Sequence, residues 1–328
     1  RPETRSQPEK RFGAEKIAER DFMTKKITIA TRKSELAMWQ ARHAETLLRE
    51  AHPGLEVELL PMVTKGDIIL DQPLAKIGGK GLFLKELERA LLNGEADIAV
   101  HSMKDVPVEQ VPGLEVEVLL ERANPFDALL GRNGETLADL PAGARVGTSS
   151  LRRQCQLRAL RPDLELLDLR GNVNTRIRKL EEGEYDAIIL ACAGLERLGL
   201  ERYVSETLGP PHWLPASTQG TIGIQNRSGD AAVRELLAPL ANAEAALRTR
   251  AERAVATALE GSCQVPLAVY ATLEGDRVAI SGLVGTPDGS RILRSDRAGP
   301  AADVDALAAA VSSDLLGQGA DKIIASLR

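Results

Sequence analysis

The sequence predicts an α/β fold with two lobes, followed by a small C-terminal α+β domain. Short apolar runs alternate with helical patterns between residues 26 and 200, which is typical of βαβ units and of mixed, mainly parallel sheets. Near the C-terminus, Gly275-Asp276 and Thr286-Pro-Asp-Gly289 separate three apolar segments, and both are hairpin signals. A three-stranded antiparallel sheet is therefore expected there. A chain of 328 residues is long enough for two or three separate cores.

Capping and turn residues delimit the predicted elements. The first strand runs from Lys26 to Thr31, and Ser34 caps the helix after it, which Pro53-Gly54 ends. Further strands are predicted at 57–63, 98–100, 114–120, 127–130, 144–147, 164–169, 185–191, 267–273, 277–285 and 291–297. Further helices are predicted at 82–92, from the turn at 147–153 to 161, after the turn at 170–176, and at 194–200, 242–260 and 302–316, with a short one after that.

Composition and charge exclude several classes of protein. No apolar run approaches the roughly 20 residues that a membrane span needs, so no membrane partner is expected. The net charge is −5 and aromatic residues make up 3%, which disfavours nucleic acid as a partner. The four histidines and three cysteines show no metal-ligand spacing, so no metal is expected. Residues 1–23 are highly charged and are expected to be an extension or tag, and because they hold no apolar signal segment we expect a cytoplasmic location.

Four predicted helix starts carry small or basic residues. A cation in the first turn opposes the helix dipole, at a cost of about 0.3 kcal/mol or more, unless an anion offsets it. Free N–H groups and arginine side chains at a helix start form a site for carboxylate or phosphate. Residues 145–179 hold nine Lys/Arg against three acidic residues, so an anion-binding cleft is favoured over a solvated basic face. The four starts are Thr31 to Ser34, Gly78 to Gly81, Gly147 to Arg153 and Arg170 to Arg176.

An apolar run from Ile98 to Val100 turns abruptly polar and ends at a proline. Pro107 cannot continue a strand ladder, so Ser102, Lys104 and Asp105 are expected where the strand leaves its sheet. Ligands bind at that edge in open α/β sheets. The Lys-Asp pair is either a weak surface ion pair or a carboxylate held in a cleft among cations, and the basic helix starts favour the second interpretation.

The three cysteines fall into two kinds. Cys155 lies in a helical pattern and Cys192 follows an apolar run, so both are expected to be small buried side chains. Cys263 lies instead in an irregular loop, Gly261-Ser-Cys-Gln-Val-Pro266, of the C-terminal domain. The residues alone thus predict two α/β lobes with an anion-binding cleft, a carboxylate within it, and a loop thiol on a third domain.

Five motifs, in this order, resemble those of the porphobilinogen deaminase family. They are Lys76-Ile-Gly-Gly-Lys-Gly-Leu-Phe83, His101-Ser-Met-Lys-Asp-Val-Pro107, Gly147-Thr-Ser-Ser-Leu-Arg-Arg-Gln154, Leu169-Arg-Gly-Asn-Val-Asn-Thr-Arg176 and Cys263-Gln-Val-Pro266. The resemblance extends over about residues 26 to 328. It implies two lobes related to periplasmic binding proteins, formed by 24–121 with 215–240 and by 122–214, and a third domain at 241–328.

The resemblance also implies an activity. Members of the family are transferases that join four porphobilinogen molecules head to tail, lose ammonia at each step, and release linear hydroxymethylbilane by hydrolysis, in heme and other tetrapyrrole biosynthesis. The growing chain is built on a dipyrromethane cofactor. Each porphobilinogen carries an acetate and a propionate, which accounts for the arginines. A monomer is expected, with porphobilinogen as the small-molecule partner.

Site residues follow from matching motif positions. Asp105 matches the catalytic aspartate, which stabilises cationic intermediates, and Arg32 lies close to the reacting ring. Cys263 matches the cysteine that holds the cofactor through a thioether. Further cofactor-binding residues are Lys104, Thr148, Ser150, Arg152, Arg153, Arg170 and Arg176. Substrate-binding residues are Arg32, Ser34, Lys80, Phe83, Arg170, Arg176, Arg197 and Gln219.

The sequence departs from the family pattern at three positions. Thr218 replaces the first glycine of a Gly-Gln-Gly segment, Gln225 replaces a glutamate, and Ser262 replaces a glycine of the cofactor loop. Thr218 could therefore change the flexibility of the hinge between the lobes. Ser262 could alter the backbone of the cofactor loop if that position needs a positive φ. The alternative function is that of a non-catalytic organic-anion binding protein with the same two-lobed architecture. Asp105 and the Cys263 loop disfavour this alternative, because a protein that only binds anions would need neither.

Overall fold

The computed structural model describes residues 26–64, 66, 84–259 and 265–327. The predictions for residues 1–23, Lys80, Phe83, Ser262 and Cys263 lie outside these described residues. The strands are β1 Lys26–Arg32, β2 Glu56–Met62, β3 Ile98–Ser102, β4 Leu114–Leu119, β5 Asp127–Gly131, β6 Arg145–Gly147, β7 Glu165–Leu167, β8 Ala187–Ala191, β9 Glu206–Leu208, β10 Ile222–Arg227, β11 Leu267–Glu274, β12 Arg277–Gly285 and β13 Ile292–Pro300. The helices of the described ranges are α1 Glu35–Ala51, α2 Lys85–Leu92, α3 Leu151–Leu160, α4 Val173–Glu181, α5 Cys192–Leu198, α6 Ala231–Leu237, α7 Ala243–Ala258, α8 Val304–Gly317 and α9 Ala320–Ala325.

The first two sheets have the same topology. The first has the strand order β2-β1-β3-β10-β4, and the second has the order β7-β6-β8-β5-β9. In each sheet the fourth strand is antiparallel to both neighbours, while the first three are parallel to one another. The predicted α/β class with two mixed, mainly parallel sheets is confirmed. This structural repeat has no counterpart in a sequence repeat of fixed period.

Local signals position α1 on the first sheet. The Ser34 side chain accepts a hydrogen bond from the Ala37 N–H at 3.4 Å, so the predicted N-cap is confirmed. Ala41, Ala44 and Leu48 are fully buried, and this spacing places them on one face of the helix. That face packs on β1 and directs the N-terminus of α1 to the edge where β1 and β3 end.

The chain crosses between the two sheets twice, and the crossings touch. The first crossing, residues 120–126, follows β4, and the second, residues 214–221, precedes β10. The Ala123 N–H donates to the Gly220 carbonyl at 3.2 Å. Gly220 has φ +91°, and a Cβ there would lie 2.5 Å from the Ala123 oxygen, so only glycine fits this contact.

The third sheet is antiparallel, with the order β11-β12-β13. One face is covered by α7 and α8, whose residues Val255, Val311 and Leu315 are fully buried against it. The predicted C-terminal α+β domain is therefore confirmed. It also contacts the second lobe, since Arg158 Nη1 of α3 donates to the Pro287 carbonyl at 2.6 Å.

Among the strands and α-helices of the described residues, β9, β10 and α6 were not predicted from the sequence. The strand β10 contains Gly223 and Asn226, residue types that are depleted in strands, although it is buried between β3 and β4. Its burial between two neighbours, and not its own propensity, makes it a strand. In the described part of the chain, no helix is long and apolar enough to cross a membrane.

Thr218 has a left-handed backbone conformation, with φ +61°, in the second crossing. A β-branched residue is rare there, and such conformations cost about 1–3 kcal/mol. The Thr218 N–H donates to a carboxylate oxygen of the buried Glu252, which fixes the backbone in this conformation. The threonine at a position where glycine is usual therefore stores strain between the lobes.

Replacing Thr218 by glycine is expected to raise the free energy of unfolding by up to about 1 kcal/mol, because relief of strain exceeds the added entropy of the unfolded chain. Urea unfolding measures this effect. The matched control is Thr218→Ala, which keeps a Cβ on the same backbone and gains less. Equal stabilities of the glycine and alanine variants would mean that the left-handed backbone is not strained.

Candidate active site

A short turn at the end of β3 presents the predicted carboxylate. Residues Met103–Asp105 form one turn of 3₁₀ helix directly after β3. Met103 is buried, and its N–H donates to the Thr221 carbonyl at 3.0 Å, whereas Asp105 is exposed. The buried residue fixes the turn, and the next two side chains, Lys104 and Asp105, lie at the sheet edge. This is the position that the sequence predicted.

Lys104 contacts the second crossing. Its Nζ donates to Gln219 Oε1 at 3.3 Å. Burial lowers the pKa of Lys104 to about 8, the charge of Arg153 also lowers it, and the charge of Asp105 raises it. Lys104 is thus a cation close to other cations, and the nearby carboxylates offset only part of the lowering of its pKa.

Asp127 is the partner of both arginines at the start of α3, and sequence reasoning missed it. Arg152 Nη1 donates to Asp127 Oδ2 at 2.7 Å, and Arg153 Nη2 donates to Oδ1 at 2.6 Å. Trp213 Nε1 and Gln219 Nε2 donate to the same carboxylate at 2.7 and 3.0 Å. Asp127 is fully buried, and burial alone would raise its pKa, but the two arginines hold the pKa well below its usual range.

Gln219 therefore connects the two lobes at the site. Its Oε1 accepts from Lys104 of the first lobe, and its Nε2 donates to Asp127 and to the Pro125 carbonyl, at 2.8 Å, in the second. An amide side chain can do both because one end accepts and the other donates. The orientation of Lys104 is thus linked to that of the buried arginine cluster.

The start of α4 supplies two more predicted cations. The Asn172 side chain accepts from the Thr175 N–H at 2.9 Å and caps the helix, and Arg176 Nε donates to the Gly171 carbonyl at 2.8 Å. Burial and the charges of Arg153 and Arg170 together lower the pKa of Arg176 to about 10, although the charge of Asp105 raises it. Asp105 of the first lobe and Arg176 of the second thus lie within electrostatic range across the cleft.

Arg32 and the buried His101 lie on the first-lobe side of the same cleft. His101 Nε2 lies 2.9 Å from Gln225 Oε1, the position at which glutamate is usual. Burial lowers the pKa of His101 to about 4, and Arg32 also lowers it, while Gln225 and Asp105 raise it. His101 is therefore neutral at pH 7, and Arg32 and Asp105 both lie within electrostatic range of it.

The remaining predicted site residues lie on several different elements. Ser34 caps α1, Thr148 is buried at the end of β6, and Ser150 occupies the N-cap position of α3 without a capping bond from its side chain. Arg197 of α5 donates to the Gly220 carbonyl at 2.7 Å and lies 5.6 Å above the Trp39 ring. Arg197 therefore contacts α1 and the second crossing.

The basic segment at 145–179 divides into two groups. Arg152, Arg153, Arg170 and Arg176 gather at the cleft. The other five pair elsewhere: Arg145 with Asp186, Arg158 with the Pro287 carbonyl, Arg161 with Asp163, Arg178 with Glu182, and Lys179 with Glu184. Charge density in the sequence thus indicated the segment, but only the contacts show which of its cations lie together.

Two cysteines are confirmed as buried small side chains. Burial raises the pKa of the Cys155 thiol to about 12 and that of the Cys192 thiol to about 11. A thiol becomes a good nucleophile as the thiolate, so neither is suited to bond formation at neutral pH. Among the described residues, no group of three His, Cys, Asp or Glu side chains is arranged to hold a metal ion.

The third domain contacts both crossings through one buried carboxylate. Glu252 of α7 is fully buried, and its Oε1 accepts from Arg122 Nη1 at 2.6 Å and from the Ala271 N–H at 2.8 Å. Its other oxygen accepts from the Thr218 N–H. One carboxylate thus joins the first crossing, the second crossing and the third sheet.

The cleft fits an organic polyanion. Six cations approach it (Arg32, Lys104, Arg152, Arg153, Arg170 and Arg176), with Asp105 and Asp127 as the carboxylates among them. Burial, and next to it repulsion from Arg153, lowers the pKa of both Lys104 and Arg176, and bound carboxylates would relieve the repulsion. The fold and site together define a two-lobed α/β protein with a cluster of cations suited to a polycarboxylate beside an exposed aspartate.

Comparison with known families makes this assignment specific. The profile described as "Porphobilinogen deaminase, dipyromethane cofactor binding domain" matches residues 27–235, and that described as "Porphobilinogen deaminase, C-terminal domain" matches residues 246–317. The chain belongs to the porphobilinogen deaminase family. It has hydroxymethylbilane synthase function in tetrapyrrole synthesis and uses a dipyrromethane cofactor. A non-catalytic organic-anion binding protein is not favoured.

Solved structures overlap parts of the chain at low similarity. The periplasmic VFT2 domain of BvgS from Bordetella pertussis has a TM-score of 0.41 and 15% identity, covering 65% of this chain and 86% of that chain. The periplasmic aliphatic sulphonate binding protein SsuA from Escherichia coli has a TM-score of 0.38 and 18% identity, covering 72% and 71%. Such overlaps do not bear on what the chain binds.

Proposed function

We propose that the condensation takes place in the cleft between the first two sheets, with Asp105 as the catalytic carboxylate. The observation that carries this proposal is the position of Asp105, exposed on the first lobe and within electrostatic range of Arg176 on the second. A fixed carboxylate there stabilises the positive charge that develops on a pyrrole as ammonia leaves. Arg32 acts beside it, near the reacting ring.

The cofactor would lie between Lys104 of the first lobe and the cations of the second lobe. Lys104, Arg152, Arg153, Arg170 and Arg176 would bind its acetate and propionate groups, since arginine matches a carboxylate with two parallel hydrogen bonds. Thr148 and Ser150 would add hydrogen bonds at the start of α3. When bound, the dipyrromethane supplies the terminal pyrrole to which substrate units are joined, and Cys263 holds it through a thioether.

The substrate would approach from the first-lobe side. Arg32, Ser34 and Gln219 lie on the strand end, helix start and crossing that border the cleft there. Arg197 would assist from α5, and Lys80 and Phe83 from the segment that precedes α2 in sequence. Arg170 and Arg176 would bind both substrate and cofactor carboxylates. Porphobilinogen carries two carboxylates, so several cations are needed as the chain of pyrroles grows.

The domain bounds proposed are 24–121 with 215–240 for the first lobe, 122–214 for the second and 241–328 for the third. The sheet order supports this division, because β10 lies in the first sheet although it follows the second in sequence. The cytoplasmic location, the monomeric state and the absence of a metal requirement stay predictions. Size-exclusion chromatography tests the monomeric state, and metal analysis of the purified protein tests the absence of a metal.

The intact mass of the purified protein tests the proposal most directly. We expect an added mass of two linked pyrrole units, located on Cys263 by peptide mapping. Cys263→Ser is expected to lack both this adduct and turnover, because a hydroxyl is a far weaker nucleophile than a thiolate.

The matched control for this experiment is Cys192→Ser. Cys192 is buried with a raised pKa, so its replacement should leave the adduct in place. If Cys263 of the wild-type protein stays unmodified after incubation with porphobilinogen, the proposal is contradicted. The function as a non-catalytic organic-anion binding protein would then be favoured.

A further inference from the structure

Arg253 of α7 holds the backbone that follows Asp105. Its Nη1 donates to the Val106 carbonyl at 3.0 Å, and its Nη2 donates to the Pro107 carbonyl at 2.6 Å. These are the two carbonyls directly after Asp105. The contact joins the third domain to the turn that carries the proposed catalytic carboxylate.

The chemistry of this contact suits positioning. A planar guanidinium that donates to two successive carbonyls fixes both their distance and their direction, which a point charge cannot do. Within the described part of the chain, Arg253 forms no ion pair, although Arg248 and Arg250 of the same helix pair with Glu244 and Asp305. Burial lowers the pKa of Arg253, as expected for a cation removed from water for its hydrogen bonds.

The helix that carries Arg253 is rigidly packed. Ala251, Val255 and Leu259 on either side of it are buried in the core of the third domain. The neighbouring Glu252 joins α7 to both crossings. The helix ends at Ala258, five residues after Arg253, and Cys263 follows in sequence. One helix thus extends from the turn of Asp105 towards the segment that contains Cys263.

We propose that Arg253 is a positioning residue for the condensation. It holds the turn of Asp105 at a fixed distance from the domain that carries the cofactor cysteine, so that the carboxylate meets each reacting pyrrole in the same geometry. The proposal rests on the catalytic role proposed for Asp105. Arg253 itself contacts the backbone of the turn and acts through Asp105.

Steady-state kinetics of the holoenzyme tests this role with Arg253→Met and Arg253→Lys. Since a misplacement of 1 Å can cost about 100-fold in rate, we expect Arg253→Met to lower kcat by roughly 30-fold with KM changed less than about 2-fold. Lysine reaches one carbonyl, so Arg253→Lys should recover kcat to within about 5-fold of wild type. Intact mass should show the cofactor attached in both variants.

Arg250→Met is the matched control, because Arg250 lies on the same helix in an exposed ion pair with Asp305. Its kcat should stay within about 2-fold of wild type, since exposed pairs contribute little.

If Arg253→Met fails to fold, Arg253→Lys provides the test, because its kcat should be lowered while its KM is unchanged. Asp105→Ala is measured in parallel. An active Asp105→Ala would contradict the proposed site, whereas an inactive Asp105→Ala beside fully active Arg253 variants would overturn this inference alone.

Discussion

Replacing Asp105 by alanine is expected to abolish turnover, with kcat lowered by about 1000-fold or more. Removal of one fixed group that stabilises charge in a transition state costs about 100- to 1000-fold, and here the group lost is a full negative charge facing a developing cation. The cofactor should remain attached, because the variant keeps Cys263 and the cationic cleft. Single-turnover kinetics with porphobilinogen, together with intact mass, measures both effects.

Two further variants separate charge from shape at this position. Asp105→Asn keeps the shape without the charge and should be nearly as inactive as alanine, whereas Asp105→Glu keeps the charge and should retain measurable turnover. Asp105 is exposed, so the thermal unfolding of all three variants should match that of wild type. An asparagine variant within about 3-fold of wild type would show that the carboxylate charge is not needed.

Replacing Asp127 by asparagine is expected to have the largest effect on stability. The change leaves Arg152 and Arg153, which are 5% and 7% exposed, without their buried counter-charge. Removing one partner of a buried ion pair costs about 3–5 kcal/mol, and here two arginines lose the same partner. We expect the free energy of unfolding to fall by about that amount in urea, and the fraction of protein that carries the cofactor to fall with it.

Asp186 provides the matched control for this change. It lies on the same lobe and pairs with Arg132 and Arg145, but its side chain is 27% exposed. Asp186→Asn should cost about 0–1 kcal/mol, because water replaces much of the lost interaction. If Asp127→Asn were as stable as Asp186→Asn and fully loaded with cofactor, the buried carboxylate would not be what orients the arginines.

The sequence predicted the regular elements well where local signals were strong. The cap at Ser34, the end of β3 before Pro107 and the hairpins of the third sheet depend on neighbouring residues, and each is present. It missed β10, because Gln225 and Asn226 are strand residues only through burial between β3 and β4. It also did not reveal the shared topology of the two lobes, since similar folds need no similar residues.

The candidate site was predicted in part. Motifs and charge placed Asp105, Lys104 and the arginines of α3 and α4 together, and their mutual effects on pKa support that grouping. Asp127 could have been suspected from its position at the start of a buried strand, but that signal alone does not name its partners.

What the sequence by itself determined is the set of groups that the chemistry needs: a carboxylate after a strand, arginines at helix starts and a loop thiol. Each follows from residues a few positions apart. Only the tertiary structure decided which groups meet. Asp127 lies 25 residues from Arg152, and Arg253 lies 147 residues from Val106. Such pairings arise because buried charges and carbonyls need hydrogen-bond or ionic partners once the lobes pack. The spacing of residues along the chain does not show which partners these are.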